Sequence, residues 1–209
     1  LDNVGLSWSG YADYKDMWTV DVFDIFNDSY GVEKNNISKE YIESSEKLNP
    51  SNRDNIIGIQ SQIWSETIRN EDILDYMFMP NIIVFSQKAW SQDPKWTKIS
   101  DKTKREFTLD YEWNKFTNTI GQRVLPIIDN IYGGLSYDLP KPGGIIKNDS
   151  LYANSVFPGL NIKYTLDGSL PGIESMNYNN PVKLNQADIV NLRLFDNMGR
   201  GGYPIQVDK

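Results

Sequence analysis

The chain has 209 residues and carries 21 Lys and Arg against 28 Asp and Glu, a formal net charge of −7. That balance argues against nucleic acid and anionic membranes as partners, and no stretch is long and apolar enough to be a transmembrane segment. The absence of Cys and His removes disulfides, thiolate nucleophiles, His metal sites and Ser-His-Asp catalysis, so any chemistry must run on carboxylates, Tyr, Lys or the substrate itself, with no cofactor expected.

The length allows one large domain or two small ones. Hydrophobic content of 39%, with 6 Trp and 12 Tyr, fills a core and leaves aromatics for a carbohydrate site. The chain opens at Leu1 rather than Met. It is expected to be a piece of a longer protein, and any secretion signal would lie upstream.

Residues 1–30 begin with Gly5-Leu6-Ser7-Trp8-Ser9-Gly10-Tyr11. The following run Trp18–Phe26 mixes apolar and acidic residues, and its periodicity fits a short helix or an extended segment equally. Residues 31–55 are rich in Asn, Ser, Lys and Glu. They are expected to be a solvated loop with a short surface helix between Ser38 and Leu48.

Residues 56–90 carry the most information. Ile56-Ile57-Gly58-Ile59 is short, apolar and β-branched, as a buried strand would be. It runs into Gln60-Ser61-Gln62-Ile63-Trp64-Ser65-Glu66, where polar groups and an indole arrive together. Asn70 is placed to cap a helix with Glu71 and Asp72 in its first turn. Pro80 breaks that helix and opens a second, in which Met79, Ile82, Ile83, Ser86 and Trp90 fall near one face.

Ser91-Gln92-Asp93-Pro94 is a stop and turn. From about Lys104 to Ile128 a helical stripe returns through Leu109, Trp113, Phe116, Ile120, Val124 and Ile127. Pro126 is expected to kink or end it. Beyond Ile131 the chain is punctuated by Gly, Pro, Asn and Asp. Short strands are predicted at Gly144–Lys147, Leu151–Asn154, Asn161–Leu166, Pro181–Leu184, Val190–Phe195 and Tyr203–Val207, with Asp167-Gly168 as a tight turn. Strands at this spacing suggest an antiparallel sandwich.

The stretch 56–90 resembles glycoside hydrolase family 20, the β-N-acetylhexosaminidases and chitobiases. In that family a strand ending G-x-Q-x-x-x-W-x-E precedes a D-Y-M-x-x-P-R-x-x-A-x-A-E-x-x-W helix. Gly58, Gln60, Trp64 and Glu66 match, as do Asp75, Tyr76, Met77, Pro80 and Trp90. Asn81 stands where the family has Arg, and Ser86-Gln87-Lys88 departs from its Ala-Glu. The opening segment resembles the G-L-x-W-x-G-Y piece after the seventh barrel strand. Leu139–Gly143, Asn154 with Pro158–Leu160, Tyr164–Ser169, Leu192-Arg193 and Gly199-Arg200 resemble the C-terminal domain often appended to these enzymes.

The resemblance implies an α+β chain. Residues 1–130 would be the C-terminal remnant of a (β/α)8 barrel, mostly helical, and residues 131–209 an Ig-like antiparallel β-sandwich. Most glycosidases use two carboxylates. In family 20 the substrate's own acetamido oxygen attacks instead, a Glu protonates the leaving oxygen and the adjacent Asp orients the acetamido group. No motif for that Asp-Glu pair occurs in this chain. Asp21, Asp24, Asp101 and Asp110 lack the context and are expected to be surface or cap residues. The implied role of this chain is a wall of the sugar site. Trp64 would stack on the sugar, Glu66 would accept hydrogen bonds from its hydroxyls, and Trp8 would form an outer wall. Alternatively, Trp64 is a core plug and Glu66 a buried ion-pair partner or a cap.

The implied partners are N-acetylhexosamine-terminated glycans or chitin oligomers and the remainder of the same polypeptide, in a periplasmic or secreted setting. A competing reading makes the chain a non-catalytic carbohydrate-binding or structural module, with Tyr164, Tyr178 and Tyr203 as a platform. A third makes it a degenerate homologue that has lost catalysis.

Overall fold

A computed structural model of the chain describes residues 13–24, 38–186 and 188–208. Its contacts divide into two compact units, Leu1–Tyr111 and Glu112–Lys209.

The described part of the first unit is helical. Short helices α1 (Tyr14–Thr19) and α2 (Lys39–Ser44) precede α3 (Glu71–Phe78) and α4 (Asn81–Trp90), and α5 (Lys102–Thr119) carries the chain into the second unit. Local side chains fix where these helices start. Asp13 accepts from the Lys15 and Asp16 amides at 2.9 Å, Asn70 from Ile73 at 2.9 Å and Asp101 from Lys104 at 2.7 Å. Each cap is worth about 1 kcal/mol. Helix α1 packs on α4, with Met17 and Trp18 buried and Lys88 Nζ donating to the Trp18 carbonyl at 3.4 Å.

Two expectations fail in this unit. Ile56–Ile59 is not a strand: it pairs with no strand among the described residues, and Ile57 is 99% exposed. A strand is defined by its neighbours, and the first unit has none among the described residues. In α4 the buried positions are Asn81 and Val84, while Trp90 is 89% exposed. The run Asn81-Ile82-Ile83-Val84-Phe85 is apolar on nearly every side, so its periodicity cannot select the packed face; the neighbouring helix does.

The second unit is a two-sheet antiparallel sandwich. Strands β1 (Gly143–Lys147), β2 (Ser150–Asn154) and β5 (Val182–Lys183) form one sheet in the order β1-β2-β5. The other holds β4 (Met176–Asn177), β3 (Asn161–Thr165), β6 (Val190–Phe195) and β7 (Ile205–Val207) in the order β4-β3-β6-β7. All pairings between these strands are antiparallel. The expected alternation is present. Leu151, Tyr164, Leu184, Val190, Leu192 and Val207 make the core, with Ile146, Ala153, Ile162 and Leu166 packed against it. Gly144 lets the sheets approach: a Cβ there would lie 2.7 Å from Leu192 Cδ1 and Val207 Cγ2. The Asp167-Gly168 turn has φ +78° at Gly168, and Asp167 Oδ1 accepts from the Ser169 amide at 3.0 Å. Instead of closing a two-residue hairpin, it returns to Ile189 through the Gly168 amide at 3.0 Å.

The long helix does not stop at Pro126. After α5 the chain widens into a π-helical turn, Ile120–Val124, and resumes as α6 (Leu125–Ile128). Proline lacks an N–H, and its ring crowds the carbonyl four residues back. The wider turn, closed by the Leu125 amide on Ile120 O, accommodates this by inserting one extra residue. The stripe therefore slips by one position. Leu125 and Ile128 are buried, whereas Ile127, expected on the apolar face, is 59% exposed.

Candidate functional site

The extended backbone from Ile56 ends in a short 3₁₀ turn, Ser65–Thr67, with Trp64 at its N-cap position. The turn is closed by the Ile68 amide on Ser65 O at 3.1 Å and tied to α3 through Thr67 Oγ1 and Met77 Sδ at 3.7 Å. Asn70 then caps α3, so a polar turn is anchored at one end by a helix start. Trp64 is 54% exposed and Glu66 is exposed. In this chain Trp64 is not a core plug, and Glu66 has no ion-pair partner among the described residues. Trp8 lies outside the described residues.

The departures from the family pattern fall elsewhere. Asn81 is buried at the start of α4, with its amide donating to Met77 O at 3.4 Å. Gln87 is exposed, and Lys88 reaches back to α1. The four acids without a motif behave as caps and surface partners. Asp21 accepts from the Phe23 amide, Asp101 caps α5, Asp24 faces Lys47 at 3.8 Å and Asp110 pairs with Lys15 at 2.7 Å.

Sequence reading missed a cleft of about 420 Å³ in the first unit, lined by residues of 21–24, 47–53 and 93–98. Its organising group is Arg53, which lies 3.8 Å from the Phe23 ring centroid and pairs with Asp93 at 2.8 Å. These residues are 30 and 40 positions apart, and no local pattern links them. Neither Trp64 nor Glu66 lines this cleft.

The described chain's most perturbed ionisable group lies in the sandwich unit. Asp129 and Asp196 are both buried and share one guanidinium. Arg200 Nη2 donates to Asp129 Oδ1 at 2.9 Å, Nε to Asp196, and Nη1 to Leu135 O at 2.6 Å. Tyr137 OH donates to Asp129 Oδ1 at 3.0 Å, and the Met198 and Arg200 amides donate to Asp196 Oδ1. Perturbed groups cluster at active sites and at structural ion pairs alike. Here the carboxylate oxygens are all engaged, so the cluster is a clamp that fastens the segment after α6 to the 196–200 loop.

Burial, followed by the nearby Asp196 and Asp129 charges, pushes the Tyr137 phenol well above its ordinary value. The unfolded chain ionises this phenol near pH ~10, while the folded chain keeps the proton. Above that pH the unfolded state binds fewer protons, so stability falls as pH rises. The decline from this group is about 1.4 kcal/mol per pH unit. Urea midpoints of the wild type and Tyr137→Phe, followed from about pH 9 to about pH 11, check this. A shallower decline is expected for the variant, and parallel curves would refute it.

Residues 7–93 match the family model "Glycosyl hydrolase family 20, catalytic domain", and residues 125–202 match "Chitobiase/beta-hexosaminidase C-terminal domain". The chain is 32% identical over 124 residues to an N,N'-diacetylchitobiase from Vibrio harveyi, covering 53% of this chain and 13% of that protein. It is also 32% identical over 129 residues to a Beta-hexosaminidase from Vibrio vulnificus, covering 54% of this chain and 15% of that one. The aligned region thus spans only a small part of each relative. Motif, fold and both family models agree: the chain is similar to part of the glycosyl hydrolase family 20 catalytic domain followed by the chitobiase/beta-hexosaminidase C-terminal domain.

Proposed function

We propose that the chain is part of an exo-acting β-N-acetylhexosaminidase, periplasmic or secreted, that releases terminal N-acetylglucosamine or N-acetylgalactosamine from glycans or chitin oligomers. Catalysis is substrate-assisted and retaining, with the Asp-Glu pair outside these residues, so this chain alone is inactive. Ile56–Ile59, unpaired in this chain, would become a barrel strand only on pairing with segments outside it, and Trp64 and Glu66 would then lie just past its C-terminal end, where (β/α)8 enzymes place substrate contacts. Trp8 is an outer wall of the same site.

The observation that supports this reading is the exposure of Trp64, two positions from a Glu66 that has no ion-pair partner among the described residues. A Trp buries about 150–250 Å² when packed, so one left half open forgoes roughly 2 kcal/mol of hydrophobic stabilisation. An exposed indole and an exposed carboxylate two positions apart suit a pyranose, whose C–H face stacks while its hydroxyls donate.

Glu66→Gln in the complete enzyme keeps the shape and removes the charge. A fall of roughly tenfold to a hundredfold in kcat/KM on a chromogenic N-acetylglucosaminide is expected, the size of one charged hydrogen bond. The melting temperature should stay unchanged, because the side chain is exposed. Unaltered kinetics would remove Glu66 from the site.

A further inference from the structure

Within the sandwich unit, no described element covers the outer face of the smaller sheet. Alternation sends Leu151 and Ala153 inward to the core, leaving Ser150, Tyr152 and Asn154 of β2 facing out. Opposite them in register stand Lys147, Ile145 and Gly143 of β1, and Lys183 of β5 lies beside Ser150. Tyr152 and Ile145 are 43% and 61% exposed and sit directly opposite one another. They form an apolar centre on a flat surface.

The groups around that centre are hydrogen-bonding. Asn154 is exposed, and its carboxamide oxygen fills the space above Gly143: a Cβ on that glycine would lie 2.2 Å from Asn154 Oδ1. A side chain at residue 143 would displace the amide, so the glycine keeps it beside the Tyr152 row. Lys147 is exposed and has no ion pair among the described residues. Lys183 is held at the far edge by its bond to Asn148 O at 3.0 Å.

Size excludes a stable protein partner. Five-residue strands span about 17 Å, and three strands about 10 Å, an area on the order of 200 Å². A specific protein interface needs about 800 Å² per partner. A strip with one aromatic ring at its centre and amide and ammonium donors at its ends fits a short run of sugar rings.

We propose that the outer face of β1-β2-β5 is a saccharide-binding platform, with a pyranose stacked on Tyr152 and its polar substituents held by Asn154 and Lys147. This rests on the reading that the chain belongs to a glycan-processing enzyme, and it adds a second place where the polymer is held. The core tyrosines do not supply it. Tyr164 is buried in the core and Tyr178 packs against it, so with Tyr203 they form no common platform.

The test is titration of the ¹⁵N-labelled 209-residue chain with a soluble chitin oligomer and, separately, a soluble cellulose oligomer. Saturable shifts are expected in the amides of 143–154 with the chitin oligomer. Binding of both oligomers would mean that stacking dominates; binding of chitin alone would mean that the acetamido group is read. Tyr152→Ala should weaken binding by about tenfold or more, while Tyr152→Phe retains it within about threefold. Unchanged β3 and β6 amide shifts in Tyr152→Ala would show the sandwich intact, and Asn154→Ala, which leaves the ring in place, gives an independent loss. Absence of shifts in 143–154, or undiminished binding by Tyr152→Ala, overturns the platform. Shifts confined to 56–66 would overturn the platform yet leave the Trp64 and Glu66 wall standing. A failed Glu66→Gln assay alongside shifts in 143–154 would give the converse.

Discussion

Gly121→Ala is expected to unfold the sandwich unit or destabilise it by at least about 3 kcal/mol. Gly121 lies in the π-helical turn, and a Cβ there would sit 2.0 Å from the carbonyl oxygen of Pro158 and 2.9 Å from the carbonyl carbons of Phe157 and Pro158. These neighbours are backbone, so no rotamer change relieves the overlap. The fit is tight from both sides. Gly159 has φ +110°, and its own added Cβ would lie 3.0 Å from Gly121 O. Phe157, fully buried, anchors the same loop. Hydrogen exchange at the β3 and β6 amides reads the sandwich separately from the first unit, and loss of protection there is the expected result. Gly172→Ala is the control: nothing lies within 4 Å of its would-be Cβ, and its effect should stay within about 0.5 kcal/mol. If the two variants behave alike, the helix-to-loop contact is not what holds the unit together.

Arg200→Met carries the second large effect. Asp129 and Asp196 side chains are each 1% exposed, while Arg200 is 35% exposed. Removing the guanidinium leaves two buried carboxylates without their cation, a loss of about 3–5 kcal/mol for a pair of this kind. The partial exposure of Arg200 screens the interaction, so about 3 kcal/mol is the expected figure. Arg200→Lys restores charge but not the fork that reaches Asp129, Asp196 and Leu135 O together, and should recover only part of it. A urea midpoint for Arg200→Met indistinguishable from wild type at neutral pH would show that the carboxylates find other partners.

Both sites fasten residues 120–139 to the sandwich, Gly121 against the Phe157–Gly159 loop and Asp129 against Arg200 of the 196–200 loop. Residues 120–139 are not a linker. Gly121, Asp129, Tyr137 and Leu139 each meet the sandwich at a specific point, the last through Gly202, whose added Cβ would lie 2.8 Å from Leu139 Cβ. The family match to the C-terminal domain begins at residue 125, inside this junction.

The first unit is held differently. Its local features are in place, as the Asp13, Asn70 and Asp101 caps show. Its long-range ones are not: Ile57, Trp64, Trp90 and Phe107 are all exposed. The proposed function accounts for this surface as a site wall and barrel segment whose neighbours belong to the rest of the catalytic domain.

Much of this was legible from residue order alone, because the relevant physics is local. A side-chain oxygen three residues before a helical amide makes Asn70 a cap. Alternation over Ile162, Tyr164 and Leu166 makes one face of β3 apolar. The spacing of Gly58, Gln60, Trp64 and Glu66 carries the resemblance to the family. Tertiary structure decided what depends on a neighbour. It left Ile56–Ile59 unpaired, chose Val84 over Trp90, and slipped the stripe from Ile127 to Ile128 through a π turn that no periodicity announces. It also gathered Asp129, Tyr137, Asp196 and Arg200 across 71 positions. Caps and alternation are settled within a few residues of chain, whereas strand pairing, the packed face of a uniformly apolar helix and a shared guanidinium exist only once distant segments meet.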